Sequence, residues 1–418
     1  MNILLRCVLA AAMAAAGWAQ APAPPAPRLF DKVDAILSEL QKITGLRPLK
    51  PVQAGFINKQ QLGKYLDERI RETIQPEELR AEELALKKFG FAPPDFDLRA
   101  TTVELLTEQA AAFYDYQKKR LFVLDSAADI MQEVALVHEL AHALADQHFN
   151  LERFGARARE NDDGAMARLA VMEGQATWLM SEYLARRIGM SLRQSPAIVR
   201  TMAEQAAASA SIFPVFEKAP LYVRETLLFP YREGLLFQQT VLEKEGDAGF
   251  KTVFQKPPKS TQQVLHPEKY FSGVEPVAVE LPPFAGRGEY RTLLEGTLGE
   301  LDHSILLRQY AGPETAAALA PLWRGGRYRL LEHRRDGRPV LMHASEWENQ
   351  EAAAQFFVAY RSVLRGKWKR FDVAEESATT LAGTGDDGEF IVLLEGRRVT
   401  SVEGLHSRQE AGRKAALH

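Results

Sequence analysis

Residues 138–142 read His-Glu-Leu-Ala-His, two histidines four apart with a glutamate directly after the first. On a helix, four residues turn the chain by ~400°, so His138 and His142 point the same way about one turn apart. Their imidazoles can then converge on one ion. Glu139 stands ~100° further round, beside such an ion rather than under it, where a carboxylate can take a proton from water. The pattern alone is loose, and its setting sharpens it. Val134, Leu136, Val137, Leu140, Ala141, Ala143 and Leu144 make the segment strongly apolar. Two histidines and a glutamate buried there are costly unless they are paired or bind a metal.

A catalytic zinc takes three protein ligands and keeps a position open. The single cysteine is Cys7, in a leader-like segment, so the third ligand has to be a histidine or a carboxylate. His148 lies six residues after His142, but Ala145 stands where the matching metzincin pattern needs glycine, and on a continuing helix His148 points away. Glu173, in RLAVMEGQATWLM, is the better candidate. Leu169, Val171, Met172, Ala176, Trp178 and Leu179 surround it, and a carboxylate in so apolar a helix needs a strong partner. Gly174 beside it would let that helix approach the motif helix closely. The intervening acids Glu152, Glu160, Asp162 and Asp163 sit in a polar stretch and are expected to be solvated. Asp146, four residues beyond His142 on the ligand face, could orient a ligating imidazole.

The elements that must position these groups follow from periodicity. Leu29, Val33, Ile36, Leu37, Leu40 and Ile43 recur at helical spacing, and further helices are expected over 59–73 and from Pro76. Residues 111–126, AAFYDYQKKRLFVLDS, flank a polar centre with aromatic and aliphatic runs and predict a strand hairpin. The motif falls on a helix from near Ala127 to Asp146, and Glu173 on one from near Asp163 to Arg187. Helices are also expected over 196–208 and 230–244, an ordered loop around a short helix over 256–271, and a strand over 277–283. From about Gly286 the pattern shifts to a helical stretch over 297–319 broken at Pro313, strands over 327–333 and 339–347, a helix over NQEAAAQFFVAYRSVL, and strands in FDVAEES and EFIVLLEGRRVTSVEG. The fold class is α+β, with a mainly helical domain bearing a small sheet over 29–285 and a smaller α+β domain over 286–418.

The N-terminus differs from the rest. Arg6, an apolar run from Cys7 to Trp18, and small residues at Gly17 and Ala19 have the layout of a secretory signal peptide over 1–19. A Pro/Ala-rich linker over 20–28 follows. The run is short for a membrane span of ~20 apolar residues. The expectation is an exported protein, periplasmic or extracellular, with no stable membrane insertion once the leader is removed. The net charge of −3 and well-mixed charges argue against a nucleic-acid partner, which would call for a basic excess.

HELAHALADQHF followed by VMEGQAT resembles the gluzincin group of zinc metallopeptidases, and more narrowly secreted bacterial proteins of the peptidase MA-like kind. The likeness covers roughly residues 30–275 and is specific at the motif. It implies a zincin-like catalytic domain with one zinc ion held by His138, His142 and Glu173, Glu139 as general base, and a peptide or protein substrate. The hairpin before the motif is similar to the strand such enzymes use to bind substrate. Related enzymes take an oxyanion donor from a later segment, for which His266 is the first candidate and Tyr231 the second. Two other functions stand beside this one: a zinc-binding envelope scaffold or assembly factor without turnover, and a zinc hydrolase of a non-peptide amide.

Overall fold

The computed structural model describes residues 12–13 and 27–406, apart from 159–160 and 285–286. The expected signal peptide and linker therefore fall largely outside the described residues. No helix among the described residues is long and apolar enough to cross a membrane.

The fold is α+β with two sheets. Helix α1 (Val33–Thr44) buries Val33, Ile36, Leu37, Leu40 and Ile43, the stripe that predicted it. Strand β1 (Gln53–Ile57) was not expected, because QAGFI lacks alternation and is only part-buried. Helices α2 (Lys59–Thr73), α3 (Pro76–Phe89) and α4 (Leu98–Gln109) follow. Then comes the predicted hairpin, β2 (Ala110–Asp115) and β3 (Arg120–Leu124), antiparallel with Ala112 opposite Val123. β1 joins β3 in parallel. On the other edge of β2, Ala12 and Met13 pair antiparallel with Ala112 and Ala110.

Helix α5 (Asp129–Phe149) carries the His-Glu motif and α6 (Asp162–Arg187) carries Glu173. Helices α7 (Pro196–Ala210) and α8 (Leu221–Glu245) follow, and then the short helices Gly249–Gln255, Thr261–Leu265 and Pro267–Phe271. α8 begins well before Pro230, where the helix was expected to start. The proline lies inside it, where it can give no N–H to the preceding turn. One turn earlier, Thr226 Oγ1 donates to the Tyr222 carbonyl at 2.8 Å.

The strand expected over 277–283 does not form. Pro276, Pro282 and Pro283 have no N–H to give a ladder, and Val277 makes a single backbone bond to Arg324 O. The chain then builds a seven-stranded sheet from β4 (Tyr290–Thr297), β5 (Trp323–His333), β6 (Pro339–Trp347), β7 (Phe371–Glu376), β8 (Thr380–Gly385), β9 (Gly388–Glu395) and β10 (Arg398–Leu405). The order is β4-β5-β6-β10-β9-β8-β7. α9 (Glu300–Tyr310) and α10 (Gln350–Lys367) supply helical cover, and α10 packs on β6, β9 and β10.

One apolar core runs through both halves, from Val33 to Val399. At the seam Phe89 meets Tyr328 edge-on and Phe91 packs on Tyr222. Asp162 and Asp163 lie here too, buried rather than solvated as expected. The polar sequence around them is folded inward because Asp163 caps another segment, accepting from Thr261 N (3.0 Å) and Oγ1 (2.5 Å). Burial pushes Asp163 up to about 7 despite those bonds. Glu152 is exposed, and Glu160 lies outside the described residues.

Candidate metal centre

α5 and α6 pack side by side and bring His138, His142 and Glu173 together. The two Nε2 atoms lie 3.0 Å apart, and Glu173 Oε2 is 3.1 Å from His138 Nε2 and 3.2 Å from His142 Nε2. All three residues are at most 3% exposed. Ligands ~2.0–2.1 Å from a tetrahedral ion stand about 3.3 Å from one another, so the three atoms already have nearly the spacing such an ion requires. No other group of three or more metal-ligating side chains converges in this way among the described residues.

The electrostatics agree with the spacing. Burial alone would raise Glu173, but His142 and the hydrogen bonds from both imidazoles hold it ionised, at about 2. Burial lowers His138. Burial also disfavours charge on His142, yet the carboxylates of Glu173, Glu139 and Asp146 outweigh it and raise that group. The pocket thus calls for positive charge between the imidazoles and the carboxylate, and a dication answers that need.

Glu139 is 1% exposed, and its Oε1 has no hydrogen-bond partner. Burial pushes it up to about 8, against which His142 and the backbone N–H of Tyr114 favour the carboxylate. A buried carboxylate oxygen left unpaired is expensive unless it has a ligand or water to serve. Strand β2 therefore touches the motif directly, by a main-chain donor on Glu139.

Two glycines set the approach of the helices. A Cβ on Gly174 would overlap the backbone carbonyl of Gly234 in α8, so α6 and α8 cross in near backbone contact. The expectation placed Gly174 against the motif helix. Adjacent residues on a helix point ~100° apart, so with Glu173 turned to α5, Gly174 faces α8 instead.

The remaining candidates divide. Tyr231 of α8 is buried, and its ring stacks beside that of His138, with centroids 6.2 Å apart. His266 is not brought to the cluster. Its Nε2 lies 2.7 Å from Glu300 Oε1, and it follows the short helix Thr261–Leu265, which docks on Asp163. Asp163 is ten residues before Glu173, roughly 15 Å along α6. Asp146 is near His142 but its bonds go elsewhere. It accepts from Tyr114 Oη (3.0 Å) and the Leu151 N–H (2.9 Å), and pairs with Lys119 (2.8 Å). It ties the hairpin to the end of α5 rather than orienting an imidazole. His148 Nε2 lies 2.8 Å from Arg47 O, clear of the cluster.

Tyr116 was not singled out as a site residue. It is 9% exposed, and its ring stands edge-on to His142 with centroids 6.0 Å apart. The signal for it was strand alternation, since Tyr114 and Tyr116 share one face of the hairpin. A cavity of about 680 Å³ lies elsewhere, at the seam, lined by Asp163, 276–279, 295–297, Trp323 and Arg327. It is not the cleft of the His-His-Glu cluster, and cavity size is a poorer guide here than the donor set.

Residues 290–413 match the family described as "Domain of unknown function (DUF8575)", which spans the seven-stranded sheet and not the metal cluster. No curated protein and no solved structure matches the chain.

Proposed function

We propose that this protein is an exported zinc metallopeptidase with a zincin-like catalytic half. The observation that carries the proposal is the convergence of His138, His142 and Glu173 beside the unpaired carboxylate oxygen of Glu139. Two imidazoles and one carboxylate, with no thiolate, form a donor set suited to a catalytic zinc with an open position. When bound, zinc supplies Lewis acidity that polarises a carbonyl and makes water a stronger acid near pH 7.

The protein's own residues do the rest. Glu139 Oε1 accepts a proton from the attacking water and passes it to the leaving nitrogen. Tyr114 N–H fixes the Glu139 carboxylate for that transfer. β2 offers main-chain groups along an edge that already accepts an added extended segment, at Ala12–Met13, which suits an extended peptide. Tyr231, whose ring lies beside that of His138, is the residue we assign as donor to the oxyanion, while His266 pairs with Glu300 instead.

The test is digestion of a diverse peptide library by the zinc-loaded protein beside its Glu139→Gln variant, read by mass spectrometry. Cuts made by the parent and lost in the variant are the expected result. Zinc bound by both with no cuts by either would set the peptidase proposal aside in favour of a zinc-holding scaffold or a hydrolase of another amide.

A further inference from the structure

The hairpin does more than present an edge. β2 runs Ala110–Asp115 and is followed at once by Tyr116, whose ring reaches His142. Tyr114, two residues earlier on the same face, spends its hydroxyl on Asp146 and its backbone N–H on Glu139. Tyr116 has a different environment. Burial is the main influence on its hydroxyl, followed by the carboxylates of Glu173 and Glu139. A phenol O–H can donate a hydrogen bond as well as accept one.

Its position is fixed from both sides. Asp115 Oδ1 accepts from the N–H groups of Gln117 and Lys118, both at 2.9 Å, and closes the turn immediately after Tyr116. Tyr65 Oη donates to Asp115 Oδ2 at 2.9 Å. Lys119 adopts a left-handed conformation, φ 51°, and its ammonium reaches Asp146 on α5. Tyr116 is thus held against the cluster by anchors that do not include its own hydroxyl. A preorganised donor of this kind costs no rearrangement when negative charge develops.

We infer that Tyr116 is a catalytic residue, whose hydroxyl donates a hydrogen bond to the oxyanion formed at the metal cluster, alongside Tyr231. Tyr116 flanks His142 while Tyr231 flanks His138, so each imidazole of the pair has a phenol ring beside it. The inference rests on the peptidase reading for its role in turnover, but donation to a tetrahedral oxyanion can be measured without turnover.

The experiment compares the parent with Tyr116→Phe, which keeps the ring against His142 and removes the hydroxyl. Both are loaded with Co²⁺, and inorganic phosphate is titrated as a tetrahedral anion while the visible spectrum of the metal is followed. Metal stoichiometry and the phosphate-free spectrum should be unchanged, and phosphate affinity should fall on the order of tenfold, the scale of a lost hydrogen bond to a charged group. With a peptide that the zinc enzyme cuts, kcat should fall on the order of 10²-fold with KM nearly constant. Unchanged phosphate affinity, or an altered metal spectrum before phosphate is added, would overturn the assignment, the latter by showing that Tyr116 shapes the metal site itself. If the parent cuts no peptide, the peptidase reading fails, while the phosphate titration still decides for or against Tyr116 as a donor.

Discussion

His138 and His142 are each 3% exposed, and His303 and His343 in the other half are each 1% exposed. In the first pair the Nε2 atoms meet at 3.0 Å over a carboxylate delivered by a second helix. In the second pair the rings lie 5.4 Å apart between centroids, walled by Trp347, Phe356, Tyr360 and Phe89. His303 Nδ1–H donates to Gly299 O at 2.8 Å, leaving its Nε2 buried and unpartnered, as is that of His343. Burial pulls His303 down to about 4 and His343 well below its usual value; in the first pair burial lowers His138 too, but His142 is raised. Burial is common to both pairs, so burial does not make a site. The difference is Glu173, an anion that makes positive charge welcome where desolvation alone would expel it.

The contrast can be broken or sharpened by substitution. The largest effect is expected from Glu139→Gln, which keeps the metal and loses proton transfer. Turnover by that variant at the parental rate would remove Glu139 from the chemistry. Next is Glu173→Ala, which takes away one of three ligands. Metal content by elemental analysis should drop sharply, and full retention with unchanged affinity would sink the assignment. Gly174→Ala comes third. The new Cβ meets Gly234 backbone, so α6 and α8 must separate, at a cost of about 1–3 kcal/mol in denaturant unfolding. A variant as stable as the parent would mean that the crossing is looser than described.

The smallest effect at neutral pH belongs to the other pair. His343→Leu should alter stability at pH 7 by less than about 1.5 kcal/mol and leave metal content unchanged, because no buried partner is abandoned. The acid side is different. His303 has a folded value of about 4 against ~6.5 when unfolded, so between these pH values the unfolded chain binds more protons. Stability from this group is intact above pH ~6.5 and is lost as pH falls toward 4. His303→Leu should therefore flatten the fall in stability across that window relative to the parent. An identical slope in both proteins would show that His303 does not titrate there.

The cluster was legible because its chemistry is local: His138, Glu139 and His142 are a helical repeat, and Glu173 betrayed itself as an acid in an apolar helix. Helices with strong stripes, such as α1 and α10, were legible for the same reason. What depended on the partner was not. Asp163 looks solvated until Thr261 arrives from almost a hundred residues away. Gly174 announces a close approach but not to which helix. Asp146 has the spacing of an imidazole orienter and is drawn instead to Tyr114 and Lys119 of the hairpin. β1 and the turns of α8 that precede Pro230 were missed because packing overrode weak local pattern.

The most direct test of the account is metal analysis of three purified proteins after zinc loading and removal of excess: the parent, His142→Ala and His343→Ala. One zinc per chain is expected in the parent and in His343→Ala, and none held stoichiometrically by His142→Ala. Zinc retained equally by all three, or zinc lost with His343 rather than His142, would contradict it.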